Sequence, residues 1–429
     1  MEKPLTRNIK TDGSAASLEE YRRNGGYEGL RKALTSYAPV EIQQMVRESG
    51  LRGRGGAGFP TGIKWSFVPM GKDAPSPKYL VVNGDEMEPG TFKDRLLIEG
   101  DPHQLLEGVA ISAYAIEARI AYIFLRGEYH VGAKRLRQAI AEAHEHGYLG
   151  EHILGSDFSL EVYLHTSAGR YICGEETALL NSLEGKRAIP RAKPPFPQTS
   201  GLFGKPTIVN NVETLCNIPH IVRNGAEWFK SLSRSRGDAG TKIYGVSGRV
   251  KRPGAWELPI GTTAREIIEE YAGGMQEGYR LKGFLPGGAS TDFLLPEHLD
   301  LPLDFTSVGT AGSRLGTGTM ILLDNRTCPV RMVLNLLRFF AQESCGWCTP
   351  CRDGLPWIVT LLNDLVEGKG RPEDLVTLEK MCTFLGPGHT FCALAPGAAA
   401  PLQSALKHFR ADFERYLKPQ IASGGLLHA

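Results

Sequence analysis

No stretch of this 429-residue chain approaches the ~18 consecutive apolar residues that a membrane span requires, so direct insertion into a bilayer is not expected. Neither sign of charge is in excess. With 49 Lys and Arg against 47 Asp and Glu, the formal charge is +2, too little field to draw the chain to nucleic acid or anionic lipid. Nucleic acid is therefore not an expected partner. Cysteine is scarce at eight residues, too few for a disulfide framework in a chain this long. The opening Met-Glu-Lys-Pro-Leu-Thr-Arg-Asn-Ile-Lys has no apolar core of the kind a secretion signal needs. A reducing, cytoplasmic setting is the expectation, and peripheral attachment to a membrane stays open. Internal repeats and low-complexity tracts are also missing. What is left is an ordinary globular composition, 41% hydrophobic and 22% charged, in a chain long enough for two to four domains.

The few cysteines are crowded. Cys345, Cys348 and Cys351 stand in Glu-Ser-Cys-Gly-Trp-Cys-Thr-Pro-Cys-Arg, and three thiolates at three-residue spacing can grip three corners of one iron–sulfur cube. A distant fourth cysteine would complete a [4Fe-4S] site. Structural zinc usually pairs two separated Cys-x-x-Cys knuckles, so zinc is the alternative, with a metal-free trio of buried thiols behind it. Residue chemistry alone does not choose between Cys382 and Cys392 as the fourth ligand. Cys173 and Cys216 lie apart and read as buried thiols.

Periodicity orders the remainder. Tyr79 to Asn83, Ala121 to Leu125 and Leu160 to Leu164 read as strands, separated by helical patterns at Leu105 to Ala118 and Ala133 to His146. That alternation predicts an α/β domain with a mainly parallel, Rossmann-like sheet and a ligand beyond the carboxyl ends of its strands. A polar Gly/Ser-rich stretch at 231–241 predicts a boundary near 237. The first domain is then 1–237, a compact α+β module occupies 238–328, and a helical bundle carrying the cysteines fills 329–429. The final Gly-Gly-Leu-Leu-His-Ala is expected to fray.

Gly53-Arg-Gly-Gly-Ala-Gly58 spells G-x-G-x-x-G, but the dinucleotide fingerprint must follow a strand, and Val40 to Glu48 is helical in pattern. The loop reads instead as backbone that can approach a planar or phosphorylated ligand closely. Arg52, Arg54 and Lys64 offer charge, and Phe59, Trp65 and Phe67 offer faces to stack on. A mobile turn beside core aromatics is the plainer reading. Glu175 and Glu176 open a helix, where they either cap it or accept hydrogen bonds from ribose while repelling the extra phosphate of NADP. Lys193 and Phe196 sit in a Pro-rich stretch that suits a ligand wall or a surface linker. Asn210 and Asn211 precede another helix, as phosphate ligands or as caps.

Together with Asn-Gly-Asp-Glu-Met-Glu-Pro-Gly-Thr-Phe-Lys-Asp-Arg and Tyr-Ile-Cys-Gly-Glu-Glu-Thr-Ala-Leu, these motifs resemble, in order, the flavoprotein subunits of bacterial respiratory complex I. The resemblance runs from about residue 20 to about 417. It implies FMN, one [4Fe-4S] cluster and NADH as electron donor, with the activity of an NADH dehydrogenase. It places FMN against Gly53, Gly55, Gly56, Lys64, Asn83, Asp85, Glu86, Tyr171, Gly174, Glu175, Asn210, Asn211 and Thr214. It places NADH against Arg54, Gly58, Phe59, Lys64, Phe67, Glu88, Glu176, Lys193 and Phe196. It makes Cys392 the fourth cluster ligand and the middle module a β-grasp, ubiquitin-like domain. The implied partners are a small thioredoxin-like [2Fe-2S] subunit and a large iron–sulfur subunit of the same complex, at the cytoplasmic face of the inner membrane. Relatives serving NAD-dependent hydrogenases or formate dehydrogenases often carry fused cysteine-rich domains absent here, so a diaphorase subunit of such an enzyme is the alternative. A non-catalytic zinc-bearing assembly protein is more remote.

Overall fold

The computed structural model describes residues 2–418, so the tail expected to fray lies outside the described residues. The chain divides into two compact units, residues 1–324 and 325–429. In the first, strands β1 (Tyr79–Gly84), β2 (Ile120–Leu125), β3 (Glu161–Thr166) and β4 (Thr207–Asn211) form a parallel sheet in the order β3-β2-β1-β4. Helices cover it on both faces, which is why β1 is buried along nearly its whole length rather than alternating with solvent. Leu80 and Val82 join the larger core with the helices Pro102–Ala115 and Val212–Asn224, while Tyr79 and Val81 join a smaller core with Leu179, Leu180 and Leu202. The two helices of the larger core cross closely because residue 108 is Gly: a Cβ there would stand 2.1 Å from the Leu215 carbonyl oxygen.

The sheet reverses direction of growth between β1 and β4. Chain order steps outward from β1 to β2 and β3, then returns to the other side of β1, opening a crevice at the carboxyl ends of β1 and β4. Asn83 pairs with Asn211 in register at that edge. The crevice depends on β4, a strand without a clear signature in the sequence.

The middle module has its own mixed sheet of β5 (Thr241–Ser247), β6 (Gly254–Pro259), β7 (Leu281–Leu285) and β8 (Thr319–Asp324), ordered β6-β5-β8-β7 with β5 and β8 parallel at its centre. Tyr244, Val246, Leu258, Ile267, Phe284 and Met320 form its core. Thr263 caps one short helical turn, which widens into a π-helical turn at Ile267–Tyr271.

The second unit is built of the helices Pro329–Glu343, Thr349–Val366, Pro372–Leu385 and Leu394–His408, followed by the short Arg410–Glu414. Val333, Leu336, Leu337 and Phe340 are buried, as their spacing predicts. The second of these helices starts at Thr349, because Pro350 suits a first helical turn. It therefore grows out of the cysteine motif itself.

Candidate functional site

The glycine loop lies between the helices Pro39–Glu48 and Thr61–Ser66, with no strand before it. Its neck is closed by Gly53 N donating to Phe59 O at 2.8 Å and Thr61 N donating to Leu51 O at 2.9 Å. Within it, Arg54 N donates to Thr214 Oγ1 at 2.8 Å, and a Cβ on Gly55 would press on Asn211 at 3.1 Å. The loop is thereby fixed over the β4 side of the crevice. Gly56, at φ +125°, has open space where a side chain would be, as does Gly174, whose carbonyl accepts from Asn83 Nδ2 at 3.2 Å. Two bare backbone stretches from different motifs thus border the crevice.

Three of the aromatic rings that the sequence singles out are exposed: Phe59 is 50% exposed, Phe67 53% and Phe196 53%. Unpartnered rings of this size are costly to leave wet and are available for stacking. Trp65 differs from expectation. It is fully buried, and its indole N–H donates to Asn210 Oδ1 at 2.8 Å, so it orients the amide instead of offering a face.

The cations also divide. The Arg54 guanidinium is fully buried, its Nη2 donating to the carbonyls of Ala239 and Thr241, so only its backbone is left at the loop surface. Arg52 is tied to Gly58 O and Asp238 and stacks on Phe305. Neither side chain offers the free charge that the sequence suggests, because carbonyls and a carboxylate of residues 238–241 are nearer. Lys64 does remain at the crevice, 2.6 Å from Glu176 Oε2, with a second bond to Val209 O.

The structure separates the two acids of the helix Glu176–Leu183. Glu175 is its N-cap, accepting from the backbone N–H of Thr177 and Ala178, both at 2.9 Å. Glu176 does no capping. Its carboxylate lies between Lys64 and Lys193, the latter at 2.8 Å, and although burial opposes ionisation, the two ammonium groups hold its pKa below the usual range. Lys193 also reaches Glu175 at 3.4 Å, so two acids and two bases form one patch. Glu88 accepts from Tyr171 Oη at 2.7 Å and from Ser290 N of the middle module at 2.6 Å, and burial raises its pKa.

Asn211 caps the helix Val212–Asn224 through Oδ1 to Glu213 N at 3.1 Å, while its Nδ2 donates to Asp94 Oδ2 at 2.6 Å. Asp85 accepts from Ser167 Oγ at 2.9 Å. Beneath these residues lies a charge network that no sequence motif announces. Glu213 is fully buried with Lys93 at 3.0 Å and Lys242 at 3.2 Å, and Lys93 continues to Asp94 at 2.7 Å and Asn211 at 3.1 Å. Removing one member of such a set leaves an uncompensated buried charge, at a cost of about 3–5 kcal/mol. Only the strand pattern that follows Lys242, Ile243 to Val246, hinted that its charge is internal.

Glu86 caps the helix Lys93–Gly100, accepting from Asp94 N and Arg95 N at 2.9 and 3.0 Å and from Tyr129 Oη at 2.8 Å. Burial and then the Asp94 charge push its pKa up to about 7. A raised pKa in the fold means that stability is greatest below the ordinary carboxyl range, near pH 4.5, and is lost as pH climbs through 7. A shift of this size corresponds to about 3 kcal/mol. Between about pH 5 and 8 the melting temperature of Glu86→Gln should therefore fall less than that of the parent protein. Parallel slopes in the two proteins would mean that Glu86 does not titrate there.

In the second unit the motif cysteines gather around one helix start. Cys348 is the residue before the helix Thr349–Val366, Cys351 lies in its first turn with Sγ 3.2 Å from Ser344 Oγ, and the Cys345 and Cys348 thiols are close enough to add to the burial that pushes Cys351 up to about 11. The rings of Trp347 and Phe391 meet edge to face at 6.3 Å, bringing the segment of Cys348 against that of Cys392. Cys345, Cys348 and Cys392 are half-buried, whereas Cys382 is packed inside its helix. Among the described residues no three His, Cys, Asp or Glu side chains are arranged to hold a single metal ion. The donor set fits a soft, thiolate-bound iron–sulfur cluster: four thiols, three of them still accessible, on segments held together by two rings. The crevice fits a flavin in its open glycine backbone.

Known proteins match the chain over nearly its whole length. Residues 46–220 match the family described as Nuo51 FMN-binding domain, 243–294 the SLBB domain, and 331–416 the NADH-ubiquinone oxidoreductase-F iron-sulfur binding region. The F subunits of NADH-quinone oxidoreductase in Salmonella typhimurium and in Escherichia coli are each 59% identical over 425 residues, 99% of this chain and 95% of theirs. A chain in the crystal structure of an NAD+-reducing [NiFe]-hydrogenase in the H2-reduced state is similar with a TM-score of 0.83 at 35% identity, covering 95% of this chain and 68% of that one. With an FMN-binding domain, an SLBB module and an iron–sulfur region in that order, the chain belongs to the family of F subunits of NADH-quinone oxidoreductase.

Proposed function

We propose that this chain oxidises NADH at FMN seated in the β1/β4 crevice and delivers the electrons singly, through a [4Fe-4S] cluster on Cys345, Cys348, Cys351 and Cys392, toward quinone. The observation that carries this reading is the convergence, at the reversal point of the sheet, of open glycine backbone at Gly174 and at Gly56, whose loop also carries the exposed Phe59. Bound there, the flavin supplies the exchange between two-electron hydride chemistry and one-electron transfer to iron–sulfur. No side chain need donate or remove a proton in that exchange, so the residues bind and orient.

Asn83, Asn210, Asn211 and Thr214 present amide and hydroxyl groups around the crevice, each fixed by a neighbour and so pre-organised. Asp85, Glu86 and Tyr171 brace its β1 side, and Gly53, Gly55 and Gly58 let the loop approach. Phe59, Phe67 and Phe196 supply stacking surfaces for the nucleotide of NADH. Glu88, Glu176, Lys64 and Lys193 supply its polar contacts. The chain would work as a peripheral subunit at the cytoplasmic face of the inner membrane, beside a small thioredoxin-like [2Fe-2S] subunit and a large iron–sulfur subunit. Among the described residues no helix is long and apolar enough to cross a membrane. The similarity to the hydrogenase chain supports a second reading, a diaphorase subunit of a soluble NAD-linked enzyme.

A visible spectrum of anaerobically purified protein, taken before and after NADH, tests the proposal. Flavin bands over broad iron–sulfur absorbance are expected, with both bleached by NADH, and mass analysis of the released cofactor should identify FMN. A colourless, well-folded protein, or FAD in place of FMN, would defeat it.

A further inference from the structure

Glu88 stands where the loops of the N-terminal sheet meet the middle module, and the two sides share its carboxylate. Tyr171 Oη donates to Oε2 at 2.7 Å from one side, and Ser290 N donates to Oε1 at 2.6 Å from the other. Ser290 lies in the turn that follows β7, a stretch in which no sequence motif announces a ligand.

Two glycines allow the turn to come so close. Gly288 has φ +104°, which other residues rarely adopt, and a Cβ on it would stand 2.6 Å from Glu88 Cγ. A Cβ on Gly287 would stand 2.2 Å from the Leu315 carbonyl oxygen, so this turn rests backbone against backbone on a second one at 313–316. Ala289 N donates to Pro89 O at 3.1 Å, which pins the turn beside Glu88 as well.

The second turn holds the first through side chains. Ser313 Oγ donates to Asp292 O at 2.7 Å, and Arg314 Nη2 donates to Ser290 O. Arg314 therefore grips the same residue whose N–H reaches Glu88. Its charge acts in the same direction: burial raises the pKa of Glu88, and the guanidinium opposes that rise together with the bonds from Tyr171 and Ser290. Arg314 is exposed, and an exposed side chain outside a cap or a buried network adds little to the stability of a fold. Its use lies in what it holds.

We infer that Arg314 is a positioning residue for the nucleotide: by holding Ser290 it sets the place of the Glu88 carboxylate, and so governs how tightly NADH binds. This rests on the function proposed above, in which Glu88 supplies a polar contact to NADH. A contact made alike before and during hydride transfer changes affinity and leaves kcat alone. The effect of Arg314 therefore falls on KM.

The test titrates NADH into cofactor-loaded protein that dithionite has already reduced, so that binding is read by anaerobic calorimetry with no hydride moving, and sets this beside kcat and KM with an artificial one-electron acceptor. Arg314→Ala should raise both Kd and KM by about fivefold or more, with kcat within about twofold of the parent. Arg314→Lys should recover the affinity to within about twofold, because the bond to Ser290 O uses a single charged donor. Arg265→Ala, which removes another exposed Arg of the same module, bonded to Asp300 and Glu269, should change neither constant. In a Glu88→Ala background the effect of Arg314→Ala should vanish, since residues that act through one another are not additive. An unchanged Kd in Arg314→Ala, the same loss in Arg314→Lys or in Arg265→Ala, or a full effect that persists without Glu88 would overturn the inference. If Glu88→Ala does not retain its flavin, the Ala and Lys variants of Arg314 decide. A parent protein that neither bleaches with NADH nor binds it defeats the proposed function, and this inference with it.

Discussion

Replacing Cys392 by Ser is expected to empty the second unit of iron and labile sulfide, from about four of each per chain to nearly none, while Cys382→Ser retains both. The two cysteines are ten residues apart and chemically identical, but their surroundings differ. Cys382 is buried within the helix Pro372–Leu385. Cys392 is half-buried in the turn before the helix Leu394–His408, in the segment that Phe391 holds against Trp347. A serine hydroxyl keeps the size of a thiol but not its acidity or softness, so it leaves an iron corner without a thiolate. The measurement is colorimetric iron and sulfide on protein of verified fold. A full cluster in Cys392→Ser, with loss in Cys382→Ser, would reverse the assignment.

Glu176→Gln should raise the ratio of kcat/KM for NADPH to that for NADH by tenfold or more. On sequence alone the argument is repulsion between one carboxylate and the 2′-phosphate of NADPH. The structure strengthens it, because Glu176 is also what neutralises Lys64 and Lys193. Removing its charge both lifts the repulsion and frees two ammonium groups for a phosphate. Each tenfold step requires about 1.4 kcal/mol, modest for ion pairs in a partly desolvated pocket. Flavin content must match between the proteins compared. Helix fraying is a poor rival explanation, since Glu175 and not Glu176 makes the capping bonds. An unchanged ratio would move nucleotide selection to another residue, with Glu88 the next to test.

The parallel sheet, the helical cysteine-bearing unit and the glycine loop were legible in sequence because each has a short-range signature: alternating apolar runs, strict spacing, side-chain-free backbone. β4 was not, because Thr207 to Asn211 is five residues long and ends in two polar amides that read as a cap. Without that strand, the reversal in the sheet could not be located. Arg54 and Trp65 show a different limit. Their types suit ligand contact, but direction is set by partners far along the chain, Ala239 and Thr241 for one and Asn210 for the other. Glu175 and Glu176 are adjacent in sequence and opposite in use, a distinction that exists only once the helix start and the two lysines are placed.

The buried bonds between Glu213 and Lys242 bear on how the chain can be divided. The polar stretch near 237 looks like a natural place to separate an N-terminal domain, yet a protein ending there would keep Glu213 and lose Lys242, and would strip the Arg54 guanidinium of both its carbonyl acceptors. Thr6 would lose Glu257 as well. The fragment would retain every residue that borders the β1/β4 crevice and still lack the charge balance beneath it. The middle module thus serves the N-terminal sheet as a counterion held on a strand, and the compact unit that contains the crevice runs through Asp324.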